Sequence, residues 1–490
     1  MIVEILGAKM LAPFFGTSHF VWTAQIAVTL VALATGYYAG GRVVDRTQRL
    51  SRLYGAILVA AGYLGLTVLA VEHVANWCLD FQLAVGSLLA STFLFFAPLA
   101  LLAMVGPFFV RVLTVAVSGV GGNVGRLTAL STLGSFAGTV LIGYVLIPFL
   151  ANSTTMWLTS GALATVAGGY FLGPGRKQIS PMAVTGGIML ALLPGGMSLA
   201  LDRPLKFPDW QEVYRANSNF GRLQVLDRTD GTFRLYLNDL LTQNTYDPKS
   251  KRSLALFTYM LHELARGYRT NLEDVLCIGL GVGIVPMQFA HEGARVQVVE
   301  INPAVVPLGQ KFFGLETNRF QLSLDDGRHF VNRCTNRYDA LVLDAFLGDS
   351  SPSHLLSREA LAAMHHLLKA DGVLVINSFG STEPGKNFFA ASLAKTLRAV
   401  FRNVRIHGSG NGNMFYAASD QIPMELNHAP PQTGLPEQLR GSMLTAWNSR
   451  LDFDPRDGLV LTDDYNPVDY YDAANRELSR RRMAMSLRLR

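Results

Sequence analysis

The first two hundred residues are dominated by long apolar segments that short polar stretches separate. Five of these segments are long enough to cross roughly 30 Å of hydrocarbon, at about 18–41, 53–72, 82–104, 126–150 and 154–173. A sixth, about 181–201, is interrupted by Pro194-Gly195-Gly196. Residues 1–14 are too short for a span and carry Glu4 and Lys9. The pattern predicts a multi-span α-helical membrane domain over residues 1–201.

The pattern changes after a proline-containing linker at 202–212. Two β-like runs, Gly221–Asp227 and Thr232–Leu237, flank Asp230-Gly231 and predict a hairpin. From Asp274 onward, short apolar strands alternate with helical segments. This alternation predicts an α/β Rossmann-like domain of the S-adenosylmethionine-dependent transferase type, with a small N-terminal β-hairpin region and its ligand at the strand C-termini. We assign it to residues 213–475 and a basic tail to 476–490.

The charges divide unevenly between these two parts. Residues 1–200 hold nine Lys or Arg and four acids, which leaves 33 basic and 32 acidic residues for the remainder. The excess positive charge therefore indicates membrane topology and lipid contact, and no nucleic acid is expected as a partner. The three cysteines have no metal-ligand spacing, so no metal is expected.

Arginines predict the topology of the membrane domain. Arg42, Arg46, Arg49 and Arg52 place the loop after the first long span in the cytoplasm. A full sixth crossing at 181–201 would then place the α/β domain outside, away from cytoplasmic S-adenosyl nucleosides. If the Pro-Gly-Gly break makes 181–201 re-entrant or interfacial, the domain stays inside. We therefore expect a multi-pass protein of the bacterial cytoplasmic membrane with a cytoplasmic α/β domain.

The chemistry concentrates on the stretch from Glu273 to Pro303. An apolar strand leads into a turn with Gly279, Gly281 and Gly283, and a second strand ends on Glu300. Glycines allow the backbone to approach a ligand closely, and an acid about twenty residues on can accept bonds from two ribose hydroxyls. The G-x-G-x-G spacing favours a nucleoside such as S-adenosylmethionine over a dinucleotide. The alternative is a plain tight turn.

Further acids follow later strands of the predicted sheet. Asp326, beside Gly327, is either a turn acid or the group that binds the adenine amine. Asp344 is either another turn acid or the group that faces the sulfonium or an incoming amine. His354 is a candidate general base, with a structural hydrogen-bonding role as the alternative.

Several runs together resemble the spermidine synthase (aminopropyltransferase) superfamily, and more closely its bacterial membrane-fused members. They include GYYAGGRVVDR, IGLGVG, VVEINPAVV, DDGRHFV, YDALVLDAFLGDSSPSHLLSREAL and LTDDYNPVDYY. The resemblance implies that S-adenosylmethionine or its decarboxylated form is bound as co-substrate. It matches the three glycines to the nucleoside loop, Glu300 to the ribose acid and Asp326 to the adenine-side acid.

The chain departs from that family where the acceptor should bind. The family has an amine-deprotonating Asp three residues after the position of Asp344, where this chain has Leu347, with Asp349 nearby. The segment after the hairpin, LLTQNTYDPKSKRS, holds Gln243 and Tyr246 but no Asp-Glu pair to bind a diamine. Because an unpaired buried charge is costly, we expect nucleoside binding to carry over and putrescine specificity not to.

The sequence thus predicts an integral membrane transferase that moves an aminopropyl or related group to an amine, with Asp344, Asp349 and His354 as candidate catalytic residues. The acceptor is a small amine or one presented at the membrane. The lipid bilayer and a second copy of the chain, as a homodimer, are the other expected partners. Two alternatives remain open: an S-adenosylmethionine-dependent methyltransferase acting on a membrane substrate, and a transporter or sensor whose nucleoside domain only binds.

Overall fold

A computed structural model describes residues 1–16, 19–114, 119–200, 209–346, 352–410, 412–430 and 434–468. The chain divides into two compact units, Met1–Pro204 and Leu205–Arg490. The expected basic tail at 476–490 lies outside the described residues, as does most of the linker at 202–212.

The first unit consists of helices throughout its described length. Two pairs of consecutive helices, α4 with α5 and α7 with α8, are joined by π-helical turns at Thr92–Phe96 and Ile142–Leu146. The helices are α1 (Ile2–Phe15), α2 (His19–Arg46), α3 (Leu50–Cys78), α4 (Leu83–Ser91), α5 (Ala97–Ala103), α6 (Val105–Leu113), α7 (Val120–Leu141), α8 (Ile147–Phe149), α9 (Asn152–Leu172) and α10 (Pro181–Ala200).

Four helical stretches of the described chain are long and apolar enough to cross a membrane: Phe20–Arg46, Leu50–Cys78, Leu83–Leu113 and Val120–Leu146. They correspond to the first four of the five runs predicted above. The fifth run forms α9, which is 21 residues long but is not among the four. Its sequence begins Asn-Ser-Thr-Thr and carries further hydroxyl residues, which lower its apolar character.

The expected interruption of the sixth run is wrong, because α10 continues through Pro194. A proline inside a helix removes one backbone hydrogen bond, here the one that the Leu190 carbonyl would accept. Side chains of α9 bond to the two carbonyls that follow: Trp157 Nε1 donates to the Leu192 carbonyl at 2.8 Å, and the Ser160 hydroxyl lies 3.1 Å from the Ala191 carbonyl. A Cβ at Gly195 would overlap the Trp157 ring, so glycine there lets the two helices approach.

The second unit begins with a five-stranded antiparallel meander. The predicted hairpin is present as β2 and β3, which pair from Leu223–Asn238 to Asp227–Arg234. Sequence analysis did not identify the flanking strands, which extend the hairpin on both sides. The strands are β1 (Trp210–Ser218), β2 (Gly221–Arg228), β3 (Arg234–Asn238), β4 (Leu241–Asp247) and β5 (Arg252–Ser253).

A seven-stranded sheet follows, in the order β11-β12-β10-β9-β6-β7-β8. The five strands from β10 to β8 are parallel, and β12 pairs antiparallel with both β10 and β11. The predicted α/β Rossmann-like fold class is confirmed. The strands are β6 (Asp274–Ile278), β7 (Arg295–Glu300), β8 (Gln321–Leu324), β9 (Tyr338–Leu343), β10 (Leu368–Phe379), β11 (Asn403–Gly408) and β12 (Asn413–Ser419).

Helices cover both faces of this sheet, as doubly wound folds require. One apolar core contains side chains of α15 and α16, and the other contains side chains of α11, α12 and α17. With both faces covered, the carboxyl ends of the parallel strands are where a ligand can reach the sheet. The helices are α11 (Leu256–Tyr268), α12 (Ile284–His291), α13 (Val305–Phe313), α14 (Gly327–Arg333), α15 (Arg358–His366), α16 (Phe388–Arg398) and α17 (Arg440–Asn448).

Candidate functional site

A cavity of about 1110 Å³ lies at the carboxyl ends of the parallel strands. The turns after β6, β7, β8, β9 and β10 line it, together with residues of β3 and β4 and the β11–β12 hairpin. Doubly wound sheets bind ligands at this position. The smaller sheet therefore contributes to the wall of a site whose floor is the larger one.

The glycine turn forms one wall of the cavity. Gly279, Gly281 and Gly283 have φ of +100°, +54° and +89°, a region that other residues rarely adopt. Gly283 is the N-cap of α12. A Cβ at Gly279 would also overlap the carbonyl oxygen of Asp344. Glycine at that position is thus required both by the backbone conformation and by the end of the neighbouring strand β9.

Glu300 ends β7 beside this turn and is buried. Its Oε2 accepts a hydrogen bond from the Leu280 N–H at 2.9 Å, and its Oε1 accepts one from the Asn302 N–H at 2.7 Å. Burial raises the pKa of Glu300, while these backbone bonds act in the opposite direction. Each oxygen keeps a second lone pair, so the carboxylate can shape the turn and accept hydroxyl donors from the cavity at the same time.

Asp326 is the N-cap of α14, a role that neither of its two sequence-based interpretations specified. Its Oδ1 accepts hydrogen bonds from the N–H groups of Arg328 and His329 at the start of α14, at 2.8 and 3.0 Å. Gly327 is buried as the first residue of that helix. The second oxygen, Oδ2, lies 3.2 Å from His354 Nε2. Asp326, Gly327 and His354 all line the cavity. The Asp326 side chain therefore caps α14 with one oxygen and has its second oxygen, beside His354, at the cavity wall.

Asp344 follows β9 directly, at the junction of the glycine turn and the rest of the cavity. Its N–H donates to the Ile278 carbonyl at 2.9 Å. Its Oδ1 accepts a hydrogen bond from Asn377 Nδ2 at 2.9 Å. Burial raises the pKa of Asp344 to about 6, against the lowering effect of the Asn377 hydrogen bond. A carboxyl of this kind is ionised at neutral pH and has more proton affinity than an ordinary aspartate.

The two residues proposed from the β4 segment are separated by the structure. Gln243 lines the cavity, but Tyr246 does not. The Tyr246 ring packs against Phe313 at 5.2 Å between ring centroids, inside a buried apolar cluster, so its assignment to substrate binding is corrected. Asn244, buried on the same strand, lines the cavity instead.

Leu347 and Asp349 lie outside the described residues. The candidate base Asp349 therefore has no position here, and the sequence-based prediction for it stands as it was. The candidate base His354 lies beside Asp326, with its Nε2 3.2 Å from Asp326 Oδ2. The side chain that bonds to Asp344 is Asn377.

Sequence reasoning missed the side chains that form the other end of the cavity. Asn377, Phe379 and Asn413 all line it, and the rings of Phe346 and Phe379 lie 5.3 Å apart between centroids. The one available signal was a polar residue, Asn377, at the end of the apolar run of β10. Among the described residues, no group of three or more His, Cys, Asp or Glu is placed to hold a metal ion.

Comparisons with known proteins match this unit. Residues 254–407 match the spermine/spermidine synthase domain family. A polyamine aminopropyltransferase from Vibrio vulnificus is 33% identical over 144 residues, covering 28% of this chain and 48% of that protein. An N-terminal histidine N-methyltransferase from Emericella nidulans is 29% identical over 234 residues, covering 43% and 41%. The chain thus spans less than half the length of either relative.

Among solved structures, spermidine synthase from Thermotoga maritima is similar at 18% identity and a TM-score of 0.38, covering 50% of this chain and 98% of that one. The family match falls on α11 and on the larger sheet from β6 to β11, which carries the glycine turn, Glu300 and Asp344. The resemblance predicted from the sequence is therefore confirmed for this region. Over residues 254–407, the chain is similar to the spermine/spermidine synthase domain family.

Proposed function

We propose that the second unit transfers an aminopropyl group from decarboxylated S-adenosylmethionine to an amine. The observation that carries the proposal is the position of Asp344, which lines the cavity directly beside the glycine turn. The amine nitrogen attacks the methylene carbon beside the sulfonium. As the new C–N bond forms, the C–S bond breaks and its electron pair returns to sulfur, leaving a neutral thioether. Asp344 accepts the proton that the amine releases.

The charges in the cavity support this donor over S-adenosylmethionine itself. S-adenosylmethionine carries a carboxylate that needs a cation or several N–H donors. In the described part of the cavity lining no arginine occurs, and the lysine, Lys386, is paired with Glu383 at 2.6 Å. The decarboxylated donor has no such group. Methyl transfer is the second candidate, because a relative of the chain is an N-methyltransferase.

The acceptor end supports an amine with fewer positive charges than a diamine. The residues that β4 contributes to the cavity are all neutral: Leu241, Thr242, Gln243, Asn244 and Thr245. Of the described acids at the far end, Glu383 is already paired with Lys386, which leaves Asp344 for one ammonium group. A dication would need a second acid, since leaving one charge unpaired costs several kcal/mol.

The test is incubation of the purified full-length protein with each S-adenosyl donor, followed by mass spectrometry of the nucleoside products. Methylthioadenosine, formed with the decarboxylated donor and an amine, supports aminopropyl transfer. S-adenosylhomocysteine, formed when S-adenosylmethionine is the donor, would instead show that the reaction is methyl transfer. Spermidine formation from putrescine at about 1 per second or faster would refute the acceptor assignment. Leu347→Asp is expected to raise activity towards putrescine.

We further propose that the four long apolar stretches cross the bacterial cytoplasmic membrane and that the second unit is cytoplasmic, where the donor is made. With Arg46 and Arg176 both inside, this placement requires that α9, which is 21 residues long, crosses as a fifth span and that α10 does not cross. A reporter active only in the periplasm, fused after Arg490, is expected to be silent. An active reporter would reverse the placement.

A further inference from the structure

A row of polar side chains crosses three adjacent strands at the acceptor end of the cavity. Asn377 Nδ2 donates to Asp344 Oδ1 at 2.9 Å, and Asn413 Nδ2 donates to Asn377 Oδ1 at 3.0 Å. Strand register explains the alignment. Ile376 pairs with Leu343, so the next residues, Asn377 and Asp344, lie side by side.

The third member of the row comes from β12, which runs antiparallel to β10. Asn413 is paired with Phe379, two residues beyond Asn377. Diagonal neighbours on one face of a sheet are within reach of each other. Asn377 is buried and all three residues line the cavity. The row therefore joins the end of β9 to the β11–β12 hairpin at the far end of the cavity.

The direction of the hydrogen bonds follows from the chemistry of the groups. An ionised carboxylate only accepts hydrogen bonds, so Asn377 must turn its NH₂ group towards Asp344 and its carbonyl away. Asn413 then fixes this orientation by donating to that carbonyl. Without the Asn413 hydrogen bond, the Asn377 amide could rotate by half a turn. In that orientation its carbonyl oxygen, and not its NH₂ group, would face the Asp344 carboxylate.

We propose that Asn377 and Asn413 form an amide relay that orients Asp344 and keeps it in its ionised form as the proton acceptor. The inference rests on the proposed function for the role of Asp344. Asn377 is a positioning residue that contacts the carboxylate directly, and Asn413 acts on it through Asn377. One oxygen of Asp344 is held by the relay, and the second is left for the acceptor amine.

Few other titratable groups of the described chain face Asp344. Below it, on β6, is the buried thiol of Cys277, whose pKa is raised by burial and by the Asp344 charge. Elsewhere in the cavity lining, Glu300 is bound by backbone N–H groups, Asp325 pairs with His329, Asp326 with His354 and Glu383 with Lys386. Among the described side chains, the one that donates a hydrogen bond to the Asp344 carboxylate is Asn377 of the relay.

The test measures the protonation of Asp344 directly and needs no substrate. Full-length protein in detergent is titrated by infrared difference spectroscopy, and the carboxyl band of Asp344 is identified by its loss in Asp344→Asn. The midpoint is expected near pH 6 in the unmodified protein. Asn377→Leu and Asn413→Leu remove donors without adding charge, and each is expected to move the midpoint upward by about one pH unit.

Asn387→Leu is the matched control. Asn387 is also a buried amide that donates to a carboxylate, Asp457 Oδ2 at 2.7 Å, but it does not line the cavity. It should leave the Asp344 midpoint unchanged. If a leucine variant does not fold, Asn413→Asp keeps the shape, cannot donate when ionised, and should also raise the midpoint.

An unchanged midpoint in folded Asn413→Leu or Asn413→Asp overturns the relay, whatever Asn377→Leu does. This result is independent of the proposed function, which stands or falls on the nucleoside product. A raised midpoint with no transferase product would keep the relay and reject the reaction.

Discussion

The two ends of the cavity hold their functional groups in different ways. At the nucleoside end, Glu300 and Asp326 are bound by main-chain N–H groups that lie close to them in space, in the glycine turn and in the first turn of α14. At the acceptor end, Asp344 is held by the side chain of Asn377, which in turn is held by Asn413. Backbone geometry therefore determines one end, and side-chain chemistry determines the other.

This difference separates what must stay fixed from what can vary. Main-chain donors are present whatever the local side chains are, provided that the glycines allow the turn. The acceptor end depends on the identity of a few side chains on β4, β10 and β12. A small number of substitutions could therefore change the amine substrate of such a protein while its nucleoside substrate stays the same.

The largest effect is expected at the junction of the two ends. Asp344→Asn keeps the shape but removes the proton acceptor, and should lower the rate of methylthioadenosine formation by about 10²- to 10⁴-fold. Calorimetry with methylthioadenosine should show nearly unchanged binding. Asp371→Asn, an exposed acid paired with Arg269, is the control. Full turnover in Asp344→Asn would remove Asp344 from the chemistry.

At the nucleoside end, Glu300→Ala should lower affinity for methylthioadenosine by on the order of 100-fold. The change removes the carboxylate that we propose accepts two ribose hydroxyls, and also the acceptors of the Leu280 and Asn302 N–H groups. Calorimetry on the full-length protein measures it, with Glu316→Ala, an exposed acid paired with Arg319, as the matched variant. Equal affinities would show that Glu300 shapes the turn without binding the donor.

The raised pKa of Asp344, about 6, has a consequence for stability. A carboxyl whose folded pKa lies above its unfolded value of 3.8 binds protons more tightly in the folded state, so stability falls as pH rises between about 4 and 6. Asp344→Asn should remove this cost and stabilise the protein by up to about 3 kcal/mol at pH 7.5. Thermal unfolding at several pH values tests this. A stabilisation that does not shrink towards pH 4 would assign the effect to packing.

The smallest effect separates the two roles of Asp326. Asn is as good an N-cap as Asp, whereas Ala costs about 1 kcal/mol. Asp326→Asn should therefore unfold at nearly the original temperature, while Asp326→Ala unfolds lower. If Oδ2 binds the adenine amine, both variants should bind methylthioadenosine several-fold more weakly, by about 1 kcal/mol. Unchanged binding in Asp326→Asn would leave Asp326 with the cap alone.

The contrast between the two ends also explains how far the sequence could be interpreted. The glycine turn and Glu300 are close in sequence and follow predictable strands, so their meeting in one site was expected. Asn377 and Asn413 are 36 residues apart and meet only because β12 returns antiparallel beside β10. Tyr246 lies on β4, a strand that the sequence pattern did not indicate, and its ring packs in the apolar cluster. Pro194 suggested a break because Trp157, which bonds to the main chain of this part of α10, lies on another helix.

The glycine turn and the end of β9 are in direct contact at Gly279, where a Cβ would overlap the Asp344 carbonyl oxygen. The position of the turn and the position of Asp344 therefore depend on each other. Any residue larger than glycine at position 279 would displace the end of β9, and Asp344 with it. If Asp344 is the proton acceptor and the turn holds the nucleoside, as we propose, the glycine at position 279 therefore preserves their relative position in the course of evolution. Diversification is confined to the opposite wall of the cavity, and one ancestral domain of this kind can give rise to enzymes that share a nucleoside but differ in the molecules they modify.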